Sequence, residues 1–283
     1  MLAVQSLLDR LVTRLKEVPG VAAIALGGSR ARGTHTAASD IDLGLYYDPG
    51  AGLDLAALAS AAAELDDQRR PDLMTPIGGW GPRINGGGWL QVQGTPVDLL
   101  YRDLAALAAT ISACQAGQIS IDYQPGHPHA WVSATYMAEL ALCQPLYDPH
   151  GQLAALKARC DPYPAALRQA LIAQLWWEAA FSLRVAQKGA LRQDISYVAG
   201  CCYRAVACLL QTLFALNERY WMNEKGALAL AATFAISPAG LQPRVEAAFT
   251  ALRGDPAALL AVVAELSTLI DEADQLLRQH TQD

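Results

Sequence analysis

Apolar positions recur at helical spacing through residues 2–17 and stop at Pro19-Gly20, which predicts an amphipathic first helix. The next apolar run, VAAIAL at 21–26, is short, unbroken and followed by glycines, the pattern of a buried strand. From Ser39 to Tyr47 the pattern alternates. Ile41, Leu43 and Leu45 fall on one face, and Asp40, Asp42 and Gly44 on the other. Helical spacing returns over 53–67, residues 71–77 are compatible with a strand, and a loop with many glycines fills 78–88. WLQVQG and TPVDLLY then predict two strands joined near Gly94-Thr95, and 102–117 closes as a helix.

The second half changes character. Ala/Leu-rich helical spacing covers about 163–188, 195–221 and 255–279, with no strand pattern after about 150. Asp194, Ser237 and Asp255 read as N-caps, and Pro238 and Pro256 follow as first helical residues. The junction falls within 146–164, where prolines, a glycine and charges cluster. The expected organisation is an α/β first domain over 1–150 and an all-α second domain over 151–283. Charges interrupt the first apolar helix, so it does not read as a signal peptide. Apolar stretches such as ALALAATFAI look too short to span a bilayer. The expectation is a cytoplasmic protein without a membrane association, its oligomeric state open. The six cysteines show no C-x-x-C spacing and read as buried free thiols.

Composition permits a large core, at 53% hydrophobic and 17% charged residues. Charge is uneven: residues 1–150 hold 9 Lys/Arg against 15 Asp/Glu, while 151–283 hold 12 of each. An acidic half repels a phosphate backbone, so long nucleic acid is a poor default partner. A cationic small molecule or metal ions suit it better.

Those charges sharpen around Asp40 and Asp42. Two carboxylates on one strand face repel, and a nearby cation relieves them. Mg²⁺ fits, since it takes one or two carboxylates with water and phosphate oxygens completing the shell. The Gly-Gly-Ser turn upstream offers backbone N–H groups and a hydroxyl to an anionic phosphate. Asp98, in an apolar strand, is costly unless it meets a partner. Beside the 41–47 strand it would complete a set of three carboxylates able to hold two metal ions. A strand-start cap for Asp40 and Asp42 is the simpler alternative. An EF-hand fails because Leu45 and Ala51 stand where glycine and glutamate are needed. A Walker A loop fails for want of Gly-Lys-Ser/Thr. A nucleophile elbow at Ser29 would need later strands and a following histidine.

The stretch GGSRARGTHTAASDID, matched at Gly28, Ser29, Ala31, Gly33, Ser39, Asp40 and Asp42, resembles the signature of the nucleotidyltransferase superfamily typified by DNA polymerase beta. In layout the chain is most similar to bacterial aminoglycoside- and lincosamide-type enzymes acting on small substrates. The resemblance implies an α/β (α+β) nucleotidyltransferase domain with a mixed sheet, followed by an all-α helical bundle. It implies that Gly28 and Ser29, with help from Ser39, hold triphosphate oxygens. It implies that Asp40, Asp42 and Asp98 bind two Mg²⁺ ions, and that Asp98 helps deprotonate the acceptor hydroxyl. A nucleoside triphosphate would be co-substrate and pyrophosphate the leaving group. LNERYWMNEKGALAL resembles a segment from which Tyr220 and Lys225 would approach the triphosphate.

Several assignments stay open. Arg30 and Arg32 reach a phosphate or lie as surface arginines. Asp194 and Glu178 serve as auxiliary bases or as a cap and an ion pair. Trp80 and Trp89 stack on a ligand or pack within their loop. His127 and His129 lack an evident third partner and read as loop residues. The acceptor is expected to be a small molecule. tRNA, a protein hydroxyl, or nucleotide sensing without catalysis are the alternatives.

Overall fold

The computed structural model describes residues 2–81 and 83–281. The chain runs α1 (Leu2–Leu15), β1 (Val21–Leu26), α2 (Gly28–Ala31), β2 (Ile41–Tyr47), α3 (Leu55–Leu65), β3 (Gly87–Val92), β4 (Thr95–Asp103) and α4 (Leu104–Gln115). It continues through β5 (Ile121–Asp122), β6 (Trp131–Val132), α5 (Thr135–Leu142), β7 (Gln144–Tyr147) and α6 (Gln152–Ala158). Five helices close it: α7 (Ala165–Leu191), α8 (Ile195–Leu216), α9 (Ala227–Ala231), α10 (Leu241–Thr250) and α11 (Pro256–His280). Two compact units result. One contains the chain through Ser112 together with Tyr136–Pro162, and the other Ala113–Thr135 together with the chain from Tyr163 onward. A single division at 150 misses this double exchange, because the burial of 113–135 among later helices is a non-local property.

The first unit is built on a sheet of order β3-β4-β2-β1-β7. In this sheet β2 and β4 pair in parallel and the neighbouring pairs are antiparallel, so the sheet is mixed. The apolar face of β2, Ile41, Leu43 and Leu45, is buried with Val97 and Leu99 of β4, Leu11 and Leu15 of α1, and Leu58 and Leu65 of α3. Each such side chain contributes about 1.5–3 kcal/mol by leaving water. That burial fixes which face β2 turns outward, because a one-residue slip would exchange the faces.

The β3–β4 hairpin is held at its tip and along its edge by adjacent aspartates. Gln93 and Gly94 both take positive φ, 52° and 72°, the conformation of a two-residue turn matched to strand twist. Their amides donate to Asp67 Oδ1 and Oδ2, each at 2.8 Å. Buried Asp66 accepts the Gln91 amide at 2.9 Å and the Arg70 guanidinium at 2.6 and 3.0 Å. On β4, Arg102 forms a two-bond fork with Glu139 of α5, at 2.6 and 2.7 Å. Lys157 of α6 caps the end of α5 through the carbonyls of Leu140, Ala141 and Cys143.

In the second unit α7 and α8 are joined by a short turn and packed along their length, with Gly189 leaving room for Tyr197. Trp176 Nε1 donates to Asp274 at 3.1 Å, tying α7 to α11, and Arg244 of α10 reaches Glu265 and Glu272 of α11. Asp194 and Asp255 are N-caps, accepting from Tyr197 and Ala258, and Pro256 opens α11.

Several expectations need correction. Residues 71–77 contribute only a bridge from Met74 to Gly88, their prolines denying a ladder. Ser237 caps nothing, because α10 begins four residues later behind Gly240 in the left-handed region. One described helix, Ile195–Leu216, is long and apolar enough to cross a membrane by length and composition, contrary to the reading of the apolar runs. Of its apolar window, 72% is buried inside the protein. The six thiols are free, five buried and Cys201 half-buried.

Candidate active site

The outward face of the sheet carries the chemistry. Parallel pairing sets Asp42 of β2 beside Asp98 of β4, and antiparallel pairing sets Trp89 of β3 beside Asp98. On the other flank, the Gly27 amide donates to the Asp42 carbonyl at 2.8 Å. Directly paired residues share a face. A row therefore crosses the first unit: Trp89, Asp98, Asp42, then the glycine turn. Both carboxylates are half-buried.

Gly28 explains the turn. It sits at φ +60°, where a side chain is strained, and a Cβ built on it would fall on the Asp42 carboxylate. The missing side chain thus lets the turn close over the acid. From there α2 runs one turn, half-burying Ser29. Asp42 and Asp98 offer hard oxygen donors in register, and that donor set fits a divalent cation.

The other expected residues of this unit are placed as follows. Asp40 is exposed, one position before the strand. Its carbonyl accepts Arg30 Nε at 2.8 Å, and another Arg30 nitrogen donates to the Ser39 carbonyl. Arg30 therefore holds the loop entering β2. Arg32 is exposed, with Nε 3.2 Å from the Gly28 carbonyl. Ser39 Oγ accepts the Thr36 amide at 2.9 Å, closing the loop. Trp80 stacks on Trp89 with centroids 4.6 Å apart, while Trp89 remains 61% exposed.

Tyr220 and Lys225 belong to the second unit. Tyr220 is half-buried against Tyr163, with centroids 4.7 Å apart, and Lys225 is exposed. Asp194 is occupied as a cap, and Glu178 pairs with Arg204. His129 does have partners, contrary to expectation. It meets Cys208 and Glu178 from distant helices, a convergence that its sequence neighbourhood does not signal. Burial, and then the Arg204 charge, hold its imidazole below the ordinary range, while burial pushes the Cys208 thiol up to about 12.

Residues 8–84 match the family described as nucleotidyltransferase domain, and 131–225 match a domain of unknown function, DUF4037. The first match includes the glycine turn, Asp40 and Asp42. It ends before Asp98, which is joined to Asp42 by strand register. No curated protein matches the chain significantly. Among solved structures, the chain is similar to a nucleotidyltransferase-like protein from Exiguobacterium sibiricum, at 10% identity and a TM-score of 0.46, covering 99% of this chain and 81% of that one.

Proposed function

We propose that this chain, whose residues 8–84 match a nucleotidyltransferase domain, moves a nucleoside monophosphate from a nucleoside triphosphate to a hydroxyl of a small molecule. The observation that carries this reading is the pairing of Asp42 with Asp98 beneath Gly28. Such domains use divalent metal. Here Asp42 and Asp98, joined by Asp40, would hold Mg²⁺, which supplies charge neutralisation to the phosphates. The amides of the Gly28 turn and the Ser29 hydroxyl face the same anion. Asp98 takes the proton of the acceptor hydroxyl. The acceptor oxygen then forms a bond to the α-phosphorus, the bond from that phosphorus to the β-phosphate oxygen breaks, and pyrophosphate leaves. Positioning does most of the work.

Arg30 acts by fixing the loop that delivers Asp40 and Asp42, and Arg32 is left to meet a phosphate. Tyr220 and Lys225 are assigned to the triphosphate on the resemblance alone. Trp89, exposed and stacked on the half-buried Trp80, offers a flat surface beside Asp98 to a base or to an acceptor ring. With the acidic character of the first half, it favours a small cationic acceptor.

The test is incubation with Mg²⁺, each of the four ribonucleoside triphosphates, and pooled hydroxylated small molecules or bulk tRNA. Pyrophosphate release and acceptor mass are followed. One acceptor should gain one nucleotide mass, and Asp42→Asn and Asp98→Asn should each abolish the gain in a folded protein. Undiminished transfer in both variants would remove the carboxylate pair from the mechanism. Modified tRNA would replace the small acceptor.

A further inference from the structure

Three side chains from three stretches of the second unit converge. His129 comes from the loop between β5 and β6, Glu178 from α7 and Cys208 from α8. One ligand atom of each lies within 4.8 Å of the other two. His129 Nε2 is 3.5 Å from Cys208 Sγ. The set combines an imidazole nitrogen, a thiol sulfur and a carboxylate oxygen. Sulfur and nitrogen donors together suit zinc and its neighbours, whereas Mg²⁺ and Ca²⁺ prefer oxygen alone.

The surroundings are those a metal site requires. A ligating histidine needs its second ring nitrogen hydrogen-bonded, and a ligating carboxylate needs support of its own. His129 Nδ1 lies 3.1 Å from the side-chain amide of Gln211, which is 2% exposed. The amide nitrogen faces Nδ1; a half-turn of the Gln211 amide, which exchanges its nitrogen and oxygen, lets Nδ1 donate and Nε2 present its lone pair to the cluster. The His129 backbone amide donates to Glu224 at 2.9 Å, which fixes the loop from behind. Arg204 donates to Oε1 of Glu178, leaving the second carboxylate oxygen to coordinate.

We propose that His129, Glu178 and Cys208 bind a zinc-type transition-metal ion, with the fourth position open to water or a ligand. The Cys208 thiol gives its proton to solvent on binding, and the sulfur–metal bond forms in its place. The ion ties the loop between β5 and β6 to α7 and α8.

The test uses the full chain carrying Asp42→Asn and Asp98→Asn, so that the aspartate row contributes little. It is loaded with Co²⁺, then separately with Zn²⁺, and freed of excess. One ion per chain is expected, with the tetrahedral visible bands and the thiolate charge-transfer band of Co²⁺, displaced by Zn²⁺. Cys208→Ser, nearly isosteric, should lose the thiolate band. His129→Ala should lose stable binding, and Gln211→Ala should weaken it roughly 10–100-fold. In the unsubstituted protein Zn²⁺ should raise the melting temperature, an arm that needs no variant. No retained metal and no melting shift would overturn the site. A thiolate band that persists in folded Cys208→Ser would overturn it equally, by assigning the sulfur to another cysteine.

Discussion

A methyl group at position 28 would occupy the space of the Asp42 carboxylate, on a backbone held at φ +60°. Gly28→Ala should therefore displace the acid by more than an ångström, since the added Cβ would lie 1.7 Å from its oxygen. A shift of that size costs about 100-fold in rate. The strain of a side chain at positive φ costs about 1 kcal/mol or somewhat more. Pyrophosphate release should thus collapse while urea unfolding shows only a modest loss; intact turnover would separate Gly28 from the reacting centre. Trp89 offers the opposite contrast. At 61% exposure it carries little of the fold, so Trp89→Ala should leave the melting temperature nearly unchanged and raise KM several-fold, with a smaller effect on kcat. At this scale the sequence was informative where a pattern is local. Alternation put Asp42 on the polar face of its strand, and the glycines announced the turn. That Trp89 and Asp98 share a row with Asp42 depends on pairing between strands distant in sequence, which no local pattern encodes. The convergence of His129 with Glu178 and Cys208 was hidden for the same reason.

Among elements, the β3–β4 hairpin matters most, because it carries both Asp98 and Trp89. Its register is held by Asp66 and Asp67, two residues that read only as the end of a helix. Replacing Asp66 by Ala would strip the Gln91 amide and the Arg70 guanidinium of a buried partner, a loss of about 2–3 kcal/mol measurable by urea unfolding. The same carboxylate makes stability pH-dependent. The Arg70 hydrogen bonds hold its pKa well below the ordinary carboxylate range, against the opposing pull of burial. A depressed folded pKa stabilises above the unfolded value of about 4, and that stabilisation is lost as pH falls toward the folded value. Unfolding free energy should therefore drop below about pH 4 in the parent protein and drop less steeply in Asp66→Asn. Equal slopes would remove Asp66 from the acid response. Helix existence was largely legible from spacing, as α1, α3, α7, α8 and α11 show. Ser237 misled because a serine before a proline is a cap only if the helix starts there. The true start lies behind Gly240, which reaches the left-handed conformation without a side-chain penalty.

For the whole molecule the decisive feature is the route of the chain, which leaves the first unit after Ser112, returns at Tyr136 and leaves again after Pro162. A fragment ending at residue 150 would lose Lys157 and its cap on α5. It would also carry 113–135 without the helices that bury Trp131 and Val132, which are 1% and 2% exposed. Such a fragment should bind a hydrophobic dye and elute as aggregate in size-exclusion chromatography. A monomeric, cooperatively melting fragment would show that the exchanged segment is dispensable. The route also bears on how such a protein can be inherited. Most of the first unit is encoded before the excursion, but β7, its fifth strand, is encoded after it. A single recombination between genes anywhere from codon 113 to codon 143 joins one parent's four strands to the other parent's β7. The sheet and the helices around His129 therefore cannot be exchanged between lineages as two cassettes at one breakpoint, and substitutions in either unit are expected to travel together.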